Sequence, residues 1–352
     1  MKAILLAGGF GTRLRPLTLR TPKPIVPIFD RPFLSYQIDI LKQLPEIDEV
    51  ILSLNYQPDS IEAVIGSGQD LGLQIRYLVE PSPLGTGGAV KFAESYLDGT
   101  TIVFNGDVLT GIDLPKVLHL HRHRKASATI VLTPVDNPSA YGLVETDADG
   151  NVMRFLEKPD PDEISCNTIN AGIYVLEPET FARIPQNIKY SIEHSYFPSL
   201  VDTNETFVAY IDESYWLDIG TSEKYLQAHR DIMTGRHPVK PFTGQFSGAP
   251  VIDPSATIDS TANLEGPCFV GANAHVGARA NIKAHTVLSE SVIVNEHAVI
   301  EDSILWPHST VGSHAKVLKA IVGTRSQVGS HAIVSPGTVL GDESIVTTHS
   351  KL

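Results

Sequence analysis

Residues 3–24 read AILLAGGFGTRLRPLTLRTPKP, and the rest of the chain is organised around this stretch. From Ala3 to Ala7 the residues are apolar, as in a buried strand, and the run ends at Gly8, Gly9 and Gly11. Glycine lets the backbone turn tightly and approach a ligand closely. The pattern therefore predicts a strand that leads into a phosphate-sized loop.

A cluster of positive charge follows the loop. Arg13, Arg15, Arg20 and Lys23 come in quick succession with no acidic residue among them. Residues 1–31 contain six Lys or Arg and one acid, Asp30, whereas the whole chain carries a net charge of -13. A local cationic segment in an acidic protein indicates a site for a polyphosphate.

The composition is that of an ordinary globular protein, with 42% hydrophobic and 19% charged residues. A length of 352 residues predicts about two domains. The negative charge argues against nonspecific nucleic-acid binding, and no apolar run is long enough to span a membrane. Cys166 and Cys268 lie too far apart in the chain for a disulfide framework, so we expect reduced cysteines and a cytoplasmic protein.

Strand-type and helix-type patterns alternate up to about residue 233. This alternation predicts βαβ units and an α/β fold with a Rossmann-like, mainly parallel sheet, whose ligands bind at the carboxyl ends of the strands. Gly8 to Arg13, Asn55, Glu80 to Gly88 and Asp107 all fall at such ends. We therefore expect them to line one crevice.

A numerical repeat begins near residue 250. Aliphatic residues recur every sixth position from Ile252 to Ile300. The register then slips to Val311 and Val317, and slips again to Val322, Val328, Val334 and Leu340. Period six with a small corner residue predicts a left-handed parallel β-helix, which buries a core only by stacking its turns. The predicted divisions are a first domain at 1–234, a linker at 235–250, the β-helix at 251–345 and a tail at 346–352. Exposed strand edges on the β-helix predict a homo-oligomer.

The string from Gly8 to Thr18, followed by Pro22 to Pro24, resembles the signature of the nucleotidyl-sugar pyrophosphorylases, GG-x-GTRL-x-PLT and PKP. Further pieces of the family pattern are PLGTGG at 83–88, YG at 141–142, EKP at 157–159, NAGIYV at 170–175 and SIE at 191–193. The resemblance covers residues 1 to about 233, and an appended hexapeptide solenoid is a known arrangement in the family. It implies a nucleotidyltransferase that joins a nucleoside triphosphate to a sugar 1-phosphate and releases pyrophosphate.

This reaction needs no general base, because the attacking phosphate is already an anion; it needs charge neutralisation and in-line positioning. The resemblance implies that Arg13 stabilises the triphosphate, Lys23 contacts a phosphate and Lys158 holds the sugar phosphate. It also implies that Asp107 and Asp218 hold Mg²⁺, which prefers few protein oxygens and shares its shell with phosphates. The nucleotide-binding candidates are Leu6, Ala7, Gly8, Gly9, Gly11, Thr12, Arg13, Asn55, Glu80, Gly85, Thr86 and Gly106. The sugar-phosphate candidates are Gly142, Glu157, Lys158, Asn170 and Gly172.

Several alternatives stay open at this stage. NGDV at 105–108, PLGTGG at 83–88 and LRTPKPIVP at 19–27 look most like mannose-1-phosphate guanylyltransferases. PSPLGTGG is a local departure, because guanylyltransferases often have acidic residues before PLGT and Ala after it. A glucose-1-phosphate thymidylyl- or adenylyltransferase is the second hypothesis. A hexapeptide acyltransferase is the third hypothesis, and a silent regulatory subunit is the fourth. The candidate bases for acyl transfer are the solenoid histidines His275, His285, His297, His308, His314 and His331. Asp218 alone also fits a turn residue before a helix.

Overall fold

The computed structural model describes residues 1–242 and 248–352, which form two compact units. The first unit contains residues 1–9 and 34–216, and the second contains residues 10–33 and 217–352. The opening stretch is therefore divided: its strand belongs to the first unit, and its cationic part belongs with the repeats. The predicted linker at 235–250 includes residues 243–247, which lie outside the described residues, and the predicted domain boundaries stay a prediction.

Strands and helices alternate as the sequence predicts. The strands before the repeats are β1 (Lys2–Leu6), β2 (Pro27–Ile28), β3 (Arg31–Pro32), β4 (Glu49–Leu54), β5 (Gln74–Val79), β6 (Thr101–Asn105), β7 (Val108–Thr110), β8 (Ala128–Pro134), β9 (Gly142–Thr146), β10 (Val152–Glu157), β11 (Thr168–Leu176), β12 (Phe207–Ile211) and β13 (Trp216–Asp218). The α-helices of the described residues are α1 (Phe33–Leu41), α2 (Pro58–Ile65), α3 (Gly85–Ala93), α4 (Leu114–Arg124), α5 (Phe197–Asp202) and α6 (Ser222–Met233). Across the described ranges, no helix has the length and apolar character that a membrane crossing needs.

The first unit is built on a mixed sheet of nine strands in its described residues. Its main order is β10-β9-β11-β6-β1-β4-β5, with β8 beside β11 and β12 beside β8. Strands β6, β1, β4 and β5 run parallel, and β4 is buried along its whole length, as expected for a strand covered on both faces. Strands β9, β10 and β11 pair antiparallel. The predicted parallel core is confirmed, and its extension is an antiparallel hairpin region.

The second unit contains the predicted β-helix, with short strands that stack in three parallel sheets. Its strands are Val251–Ile252, Thr257–Ile258, Asn263–Leu264, Phe269–Val270, His275–Val276, Asn281–Ile282, Val287–Leu288, Ile293–Val294, Val299–Glu301, Ile304–Leu305, Thr310–Val311, Lys316–Leu318, Ile321–Val322, Gln327–Val328, Ile333–Val334, Val339–Leu340 and Ile345–Val346. Leu288 pairs with Leu305, and Leu305 pairs with Val322, so the slips after Ile300 and after Val317 each arise where one side of the coil is a residue short. The last strand includes Val346, and Lys351 bridges to Ile333, so the stacking continues into the predicted tail.

The corners of the β-helix contain non-glycine residues in the left-handed backbone region, including His285, His297, His308, His314 and His331. Four imidazoles, of His297, His314, His331 and His349, stack in a column with ring centroids 4.6, 4.9 and 4.8 Å apart. Five of the six histidines considered as acyl-transfer bases thus occupy corners of the coil. Their placement is accounted for by the fold itself.

Candidate active site

The carboxyl ends of four parallel strands meet along one edge of the first unit. Leu6 at the end of β1 is in register with Ser53 of β4 and Asn105 of β6, and Leu54 of β4 is in register with Val79 of β5. The residues that follow these strands therefore lie side by side: Ala7, Gly8, Asn55, Glu80, Gly106 and Asp107. This arrangement confirms the predicted alignment of the strand ends.

Glycines allow the loops at this edge to pack closely. A Cβ on Gly8 would lie 3.3 Å from the backbone nitrogen of Asn55, and one on Gly106 would lie 2.5 Å from the carbonyl oxygen of Leu6. The amide of Gly106 donates to that same oxygen at 3.0 Å. A Cβ on Gly9, by contrast, would meet nothing within 4 Å. Gly8 and Gly106 are thus needed for packing, and Gly9 borders open space that a ligand can occupy.

Glu80 is a predicted nucleotide-binding residue whose carboxylate is turned into the protein. One oxygen accepts from the Ser53 hydroxyl at 2.8 Å and the other from the Leu84 amide at 2.8 Å. The Asn55 side chain donates to the Glu80 carbonyl at 3.4 Å. These bonds give Glu80 a positioning role at the start of the PLGTGG loop, and its contact with a nucleotide stays a prediction.

The PLGTGG loop is held by the segment around residue 190. The amides of Gly87 and Gly88 donate to the carbonyl of Tyr190 at 2.9 and 3.1 Å. The Thr86 hydroxyl donates to Glu193 at 2.7 Å and accepts from the Ile192 amide at 2.9 Å. The predicted nucleotide contact of Thr86 is untested, but the side chain already has two protein partners. Glu193 is therefore a supporting residue that the site prediction did not include, although the SIE string that contains it is part of the family pattern.

The EKP string lies at the end of the β9–β10 hairpin. Glu157 is paired with Gly142, where a Cβ would lie 2.8 Å from a Glu157 carboxylate oxygen. Lys158 has a φ of 52°, and its amide donates to the Tyr141 carbonyl at 3.1 Å. Burial raises the pKa of Glu157, and the Glu193 carboxylate raises this pKa further, whereas Lys158 lowers it. A carboxylate and a cationic side chain thus lie next to each other in the chain where β10 ends.

Asn170 and Gly172 form a bulge in β11, where the pairing register shifts between Asn170 and Tyr174. The Asn170 side chain accepts from the Gly172 amide at 2.9 Å and donates to the Tyr174 hydroxyl at 2.9 Å. Gly172 has a φ of 77°, and a Cβ there would lie 2.9 Å from the Asn105 side-chain nitrogen. Among the described residues, the Asn105 side-chain oxygen is buried with no hydrogen-bond partner. A buried orphan acceptor beside the bulge is suited to a ligand hydroxyl or amine.

The cationic loop of the second unit is closed by its own side chains. Gly11 has a φ of 59° and precedes a 3₁₀ turn at Thr12–Leu14. The Thr18 hydroxyl donates to the Gly11 carbonyl at 2.7 Å. A Cβ on Gly11 would lie 3.1 Å from Thr18 and 3.2 Å from Lys23. The GTRL-x-PLT spacing therefore produces a compact turn that presents Thr12 and Arg13 on its exposed side.

Asp218, at the end of β13, lies among three cations of the same unit. Arg13, Lys23 and Lys224 approach its carboxylate at 3.8, 4.0 and 3.9 Å. These distances are longer than ordinary charged hydrogen bonds, so the attraction acts through space. Three cations so close to one another form a cluster of a kind that attracts a polyanion.

The sequence prediction did not include Lys224, a member of this cluster, or Gly220, which lies beside it. Lys224 lies in the first turn of α6, where its amide donates to the side chain of the N-cap residue Thr221 at 3.3 Å. Gly220 makes room for Arg13, because a Cβ there would lie 2.7 Å from the guanidinium. The signal available in the sequence was the cap itself: a threonine three residues before a lysine places that lysine near the helix start.

The carboxylates fit a magnesium ion by chemistry. Asp107 follows β6 in the first unit and Asp218 ends β13 in the second. Over residues 1–242 and 248–352, no cluster of three or more His, Cys, Asp or Glu is arranged to hold a metal. A site with few carboxylates suits Mg²⁺, which takes its remaining ligands from water and substrate phosphates. The sharing of one ion by Asp107 and Asp218 stays a prediction.

A family model described as nucleotidyl transferase matches residues 2–235. The chain belongs to the nucleotidyl transferase family. A second model, described as the GMPPB C-terminal domain, matches residues 264–351, which coincides with most of the β-helix. Nucleotidyltransferases of this family generally use a divalent metal ion.

Relatives within this nucleotidyl transferase family differ in their named substrates. The chain is 43% identical over 238 residues to a mannose-1-phosphate guanylyltransferase of Mycobacterium tuberculosis, aligning 67% of this chain with 66% of that protein. It is 36% identical to a UTP--glucose-1-phosphate uridylyltransferase of Synechocystis, with 66% of this chain and 64% of that protein aligned. It is 38% identical to a probable mannose-1-phosphate guanylyltransferase 2 of Arabidopsis thaliana, with 73% of each aligned. The chain thus spans just under two thirds of the first two relatives.

Among solved structures, the chain is similar to HddC from Yersinia pseudotuberculosis complexed with GMP-PN. The TM-score is 0.56 and the identity 31%, and the match covers 64% of this chain and 97% of HddC. The match supports the predicted nucleotidyltransferase fold at the level of overall architecture.

Proposed function

We propose that this chain transfers a nucleotidyl group from a nucleoside triphosphate to a sugar 1-phosphate, with GTP and mannose 1-phosphate as its preferred pair. The observation that carries the proposal is the charge cluster in which Arg13, Lys23 and Lys224 surround Asp218 at 3.8 to 4.0 Å. Such a cluster attracts a polyanion. The GTP and mannose preference is supported by the name of the 43% identical relative and by the match of the β-helix to the GMPPB C-terminal domain.

The proposed reaction is an in-line displacement. A phosphate oxygen of the sugar 1-phosphate attacks the α-phosphorus of the triphosphate, a new P–O bond forms, and the bond to the bridging oxygen of the β-phosphate breaks. Pyrophosphate leaves with that electron pair, and no proton has to be removed from the nucleophile. Arg13 and Lys23 neutralise the charge on the triphosphate, while Lys158 orients the sugar phosphate. Bound Mg²⁺, with Asp107 and Asp218 as its proposed ligands, would supply further charge neutralisation.

The base and the sugar are the finer part of the proposal. The alternative is a glucose 1-phosphate substrate with a thymidylyl or adenylyl donor, and the Synechocystis relative adds a uridylyl donor to the test. A few hydrogen bonds decide such a choice, because a site built to bond one polar group rejects a partner that lacks it. The orphan oxygen of Asn105 is one such group.

The test is a matrix of substrates. GTP, ATP, UTP and dTTP are each combined with mannose, glucose and N-acetylglucosamine 1-phosphates, with Mg²⁺ or with EDTA, and pyrophosphate release is measured. We expect the highest kcat/KM for GTP with mannose 1-phosphate. A higher value for another pair would replace the substrate assignment, and no release with any pair would overturn the enzymatic proposal. An acyl-CoA assay on the same preparation tests the acyltransferase hypothesis.

We also propose a homo-oligomer that assembles through the β-helix in the cytoplasm. One of its sheets contains the strands Ile293–Val294 and Ile345–Val346, and the side chains of Ile293 and Ile345 are 41% and 72% exposed. Exposed aliphatic residues on a stack of short strands favour association. Light scattering should show a multimer that the double substitution Ile293→Asp and Ile345→Asp dissociates, and a monomeric wild type at micromolar concentration would contradict this.

A further inference from the structure

The last turn of the β-helix contacts residues 11–23, the signature loop, within the second unit. The Arg20 guanidinium pairs with the carboxylate of Glu343. The Thr21 hydroxyl donates to Asp342 at 3.4 Å. A Cβ on Gly341 would lie 3.0 Å from the Cβ of Pro16, which shows how closely the two backbones approach. Three consecutive residues, 341–343, thus support both ends of the segment 16–21.

The supporting turn is itself firmly held. The amide of Thr324 donates to Asp342 at 2.9 Å, and the amide of Glu343 donates to the Thr324 carbonyl at 2.8 Å. The hydroxyls of Ser326 and Ser344 both donate to the Gly341 carbonyl, at 2.9 and 2.7 Å. Because these partners belong to the preceding turn or to the same turn, residues 341–344 form a rigid part of the coil.

The supported segment leads directly to the cluster around Asp218. Thr18 lies between Pro16 and Arg20, and its hydroxyl closes the turn at Gly11. That turn presents Arg13, which lies 3.8 Å from Asp218. Short 3₁₀ turns at Thr12–Leu14 and Leu17–Leu19 contain few internal hydrogen bonds, so external contacts are needed to define their geometry. A shift of 16–21 would therefore move Thr18 and the turn that presents Arg13.

We propose that Asp342 and Glu343 are positioning residues for the signature loop, and that the last turn of the β-helix sets the geometry of the nucleotide site through them. The pairing with Glu343 also neutralises Arg20, which removes this cation from the group available to substrate. The kinetic part of the inference rests on the proposed function, whereas the structural part does not.

The pair is exposed, so its effect on global stability is expected to be small. Its effect on the site should be larger, because a misplacement of about 1 Å can cost 10²-fold in rate. We expect Glu343→Arg to lower kcat/KM for the triphosphate by roughly 10-fold, a fraction of that limit. The charge swap that combines Arg20→Glu with Glu343→Arg should restore most of the loss.

The matched control is Glu301→Arg. Glu301 is also in the β-helix and forms an exposed ion pair at 2.8 Å with Lys283, but this pair joins neighbouring turns of the coil. Wild type, Glu343→Arg, the charge swap and the control are compared by pyrophosphate release and by hydrogen exchange of the amides of residues 12–21 without substrate. Gly341→Ala serves as a second, uncharged perturbation, since its methyl group would push against Pro16.

Faster exchange at 12–21 in Glu343→Arg and Gly341→Ala, absent in the Glu301→Arg control and reversed by the charge swap, would support the inference. Exchange and kinetics indistinguishable from the control would overturn it. If the wild type releases no pyrophosphate in any substrate combination while exchange still accelerates, the proposed function fails and the positioning role stands. A melting temperature that falls equally in Glu343→Arg and Glu301→Arg, with no selective change at 12–21, would assign the pair to general stability and also overturn the inference.

Discussion

Replacing Gly220 by alanine should disable the site without unfolding the protein. A Cβ at this position would lie 2.7 Å from one guanidinium nitrogen of Arg13 and 2.8 Å from the central carbon and the other nitrogen. Favourable contacts between such atoms lie at about 3.5 to 4.0 Å, so the guanidinium must retreat by about 1 Å. The Arg13 side chain is 62% exposed and can do so through its flexible end. The fold therefore absorbs the methyl group at little cost.

The catalytic cost should be much larger. Arg13 is proposed to neutralise charge on the triphosphate, and a misplacement of about 1 Å can lower a rate by about 10²-fold. We expect kcat for pyrophosphate release to fall by roughly that factor in Gly220→Ala. The melting temperature should stay within about 2 °C of wild type, which is less than 1 kcal/mol in a unit of this size.

Gly99→Ala is the control, because a Cβ at Gly99 would meet nothing within 4 Å. It adds the same methyl group to a loop of the first unit and should keep full activity. A Gly220→Ala enzyme with kcat within twofold of wild type would refute the argument, since Arg13 could then be displaced without consequence. A large loss of thermal stability would refute the second argument, that the flexible Arg13 side chain moves away and makes room for the methyl group.

Three further predictions concern the two proposed phosphate-binding cations, the two proposed metal ligands and a buried histidine. Arg13→Ala should lower mainly kcat, by about 10²-fold or more, because charge develops on the triphosphate, whereas Lys158→Ala should raise mainly KM for the sugar phosphate; a change confined to KM for the nucleotide in both would contradict these roles. Asp107→Asn and Asp218→Asn should each weaken the response of the activity to Mg²⁺ and lower the activity by orders of magnitude. The activity of the double variant should be little lower than that of the less active single variant, because the two carboxylates act as a unit. Near-normal activity of Asp218→Asn at low Mg²⁺ would show that Asp218 is only a turn residue. Burial lowers the pKa of His229 from 6.5 to about 4, so the stability that neutral His229 contributes is present above pH 6.5 and is lost as the pH falls toward 4. Urea unfolding should show a loss of up to about 3 kcal/mol in the free energy of unfolding over this range, and His229→Gln should reduce this pH dependence. An equal pH dependence of the wild type and His229→Gln would show that another group titrates.

The fold could be predicted from the sequence because the spacing of apolar residues reflects which positions of a strand, helix or repeat are buried. Alternating strand and helix patterns predicted the parallel core, and the hexapeptide period predicted the β-helix before any contact was known. The repeat slips after Ile300 and again after Val317, because a coil side shortened by one residue breaks the count of six, and the first slip concealed Leu305. The placement of Gly8, Asn55 and Gly106 at one edge was predictable for the same reason, because parallel strands bring their carboxyl ends together.

The sequence shows much less about the direction and the hydrogen-bond partners of individual charged side chains. Glu80 stays a predicted nucleotide-binding residue, and what the sequence did not show is that its two carboxylate oxygens accept hydrogen bonds from Ser53 and Leu84. Sequence shows that a carboxylate follows a strand, but it does not show which way the side chain turns. That direction depends on which donors the neighbouring strand and loop offer, and those donors are set by packing.

By itself, the sequence determined that this chain has a nucleotidyltransferase-type α/β fold with an appended β-helix, and that residues 13–23 form a cationic segment. Only the tertiary structure decided that the cationic loop belongs with the β-helix in one compact unit, and that Arg20 pairs with Glu343 at a separation of 323 residues. The physical reason is the range of the information. Periodicity and turn preferences act over a few residues, whereas an ion pair between distant segments exists only after both have folded and been brought to the same place.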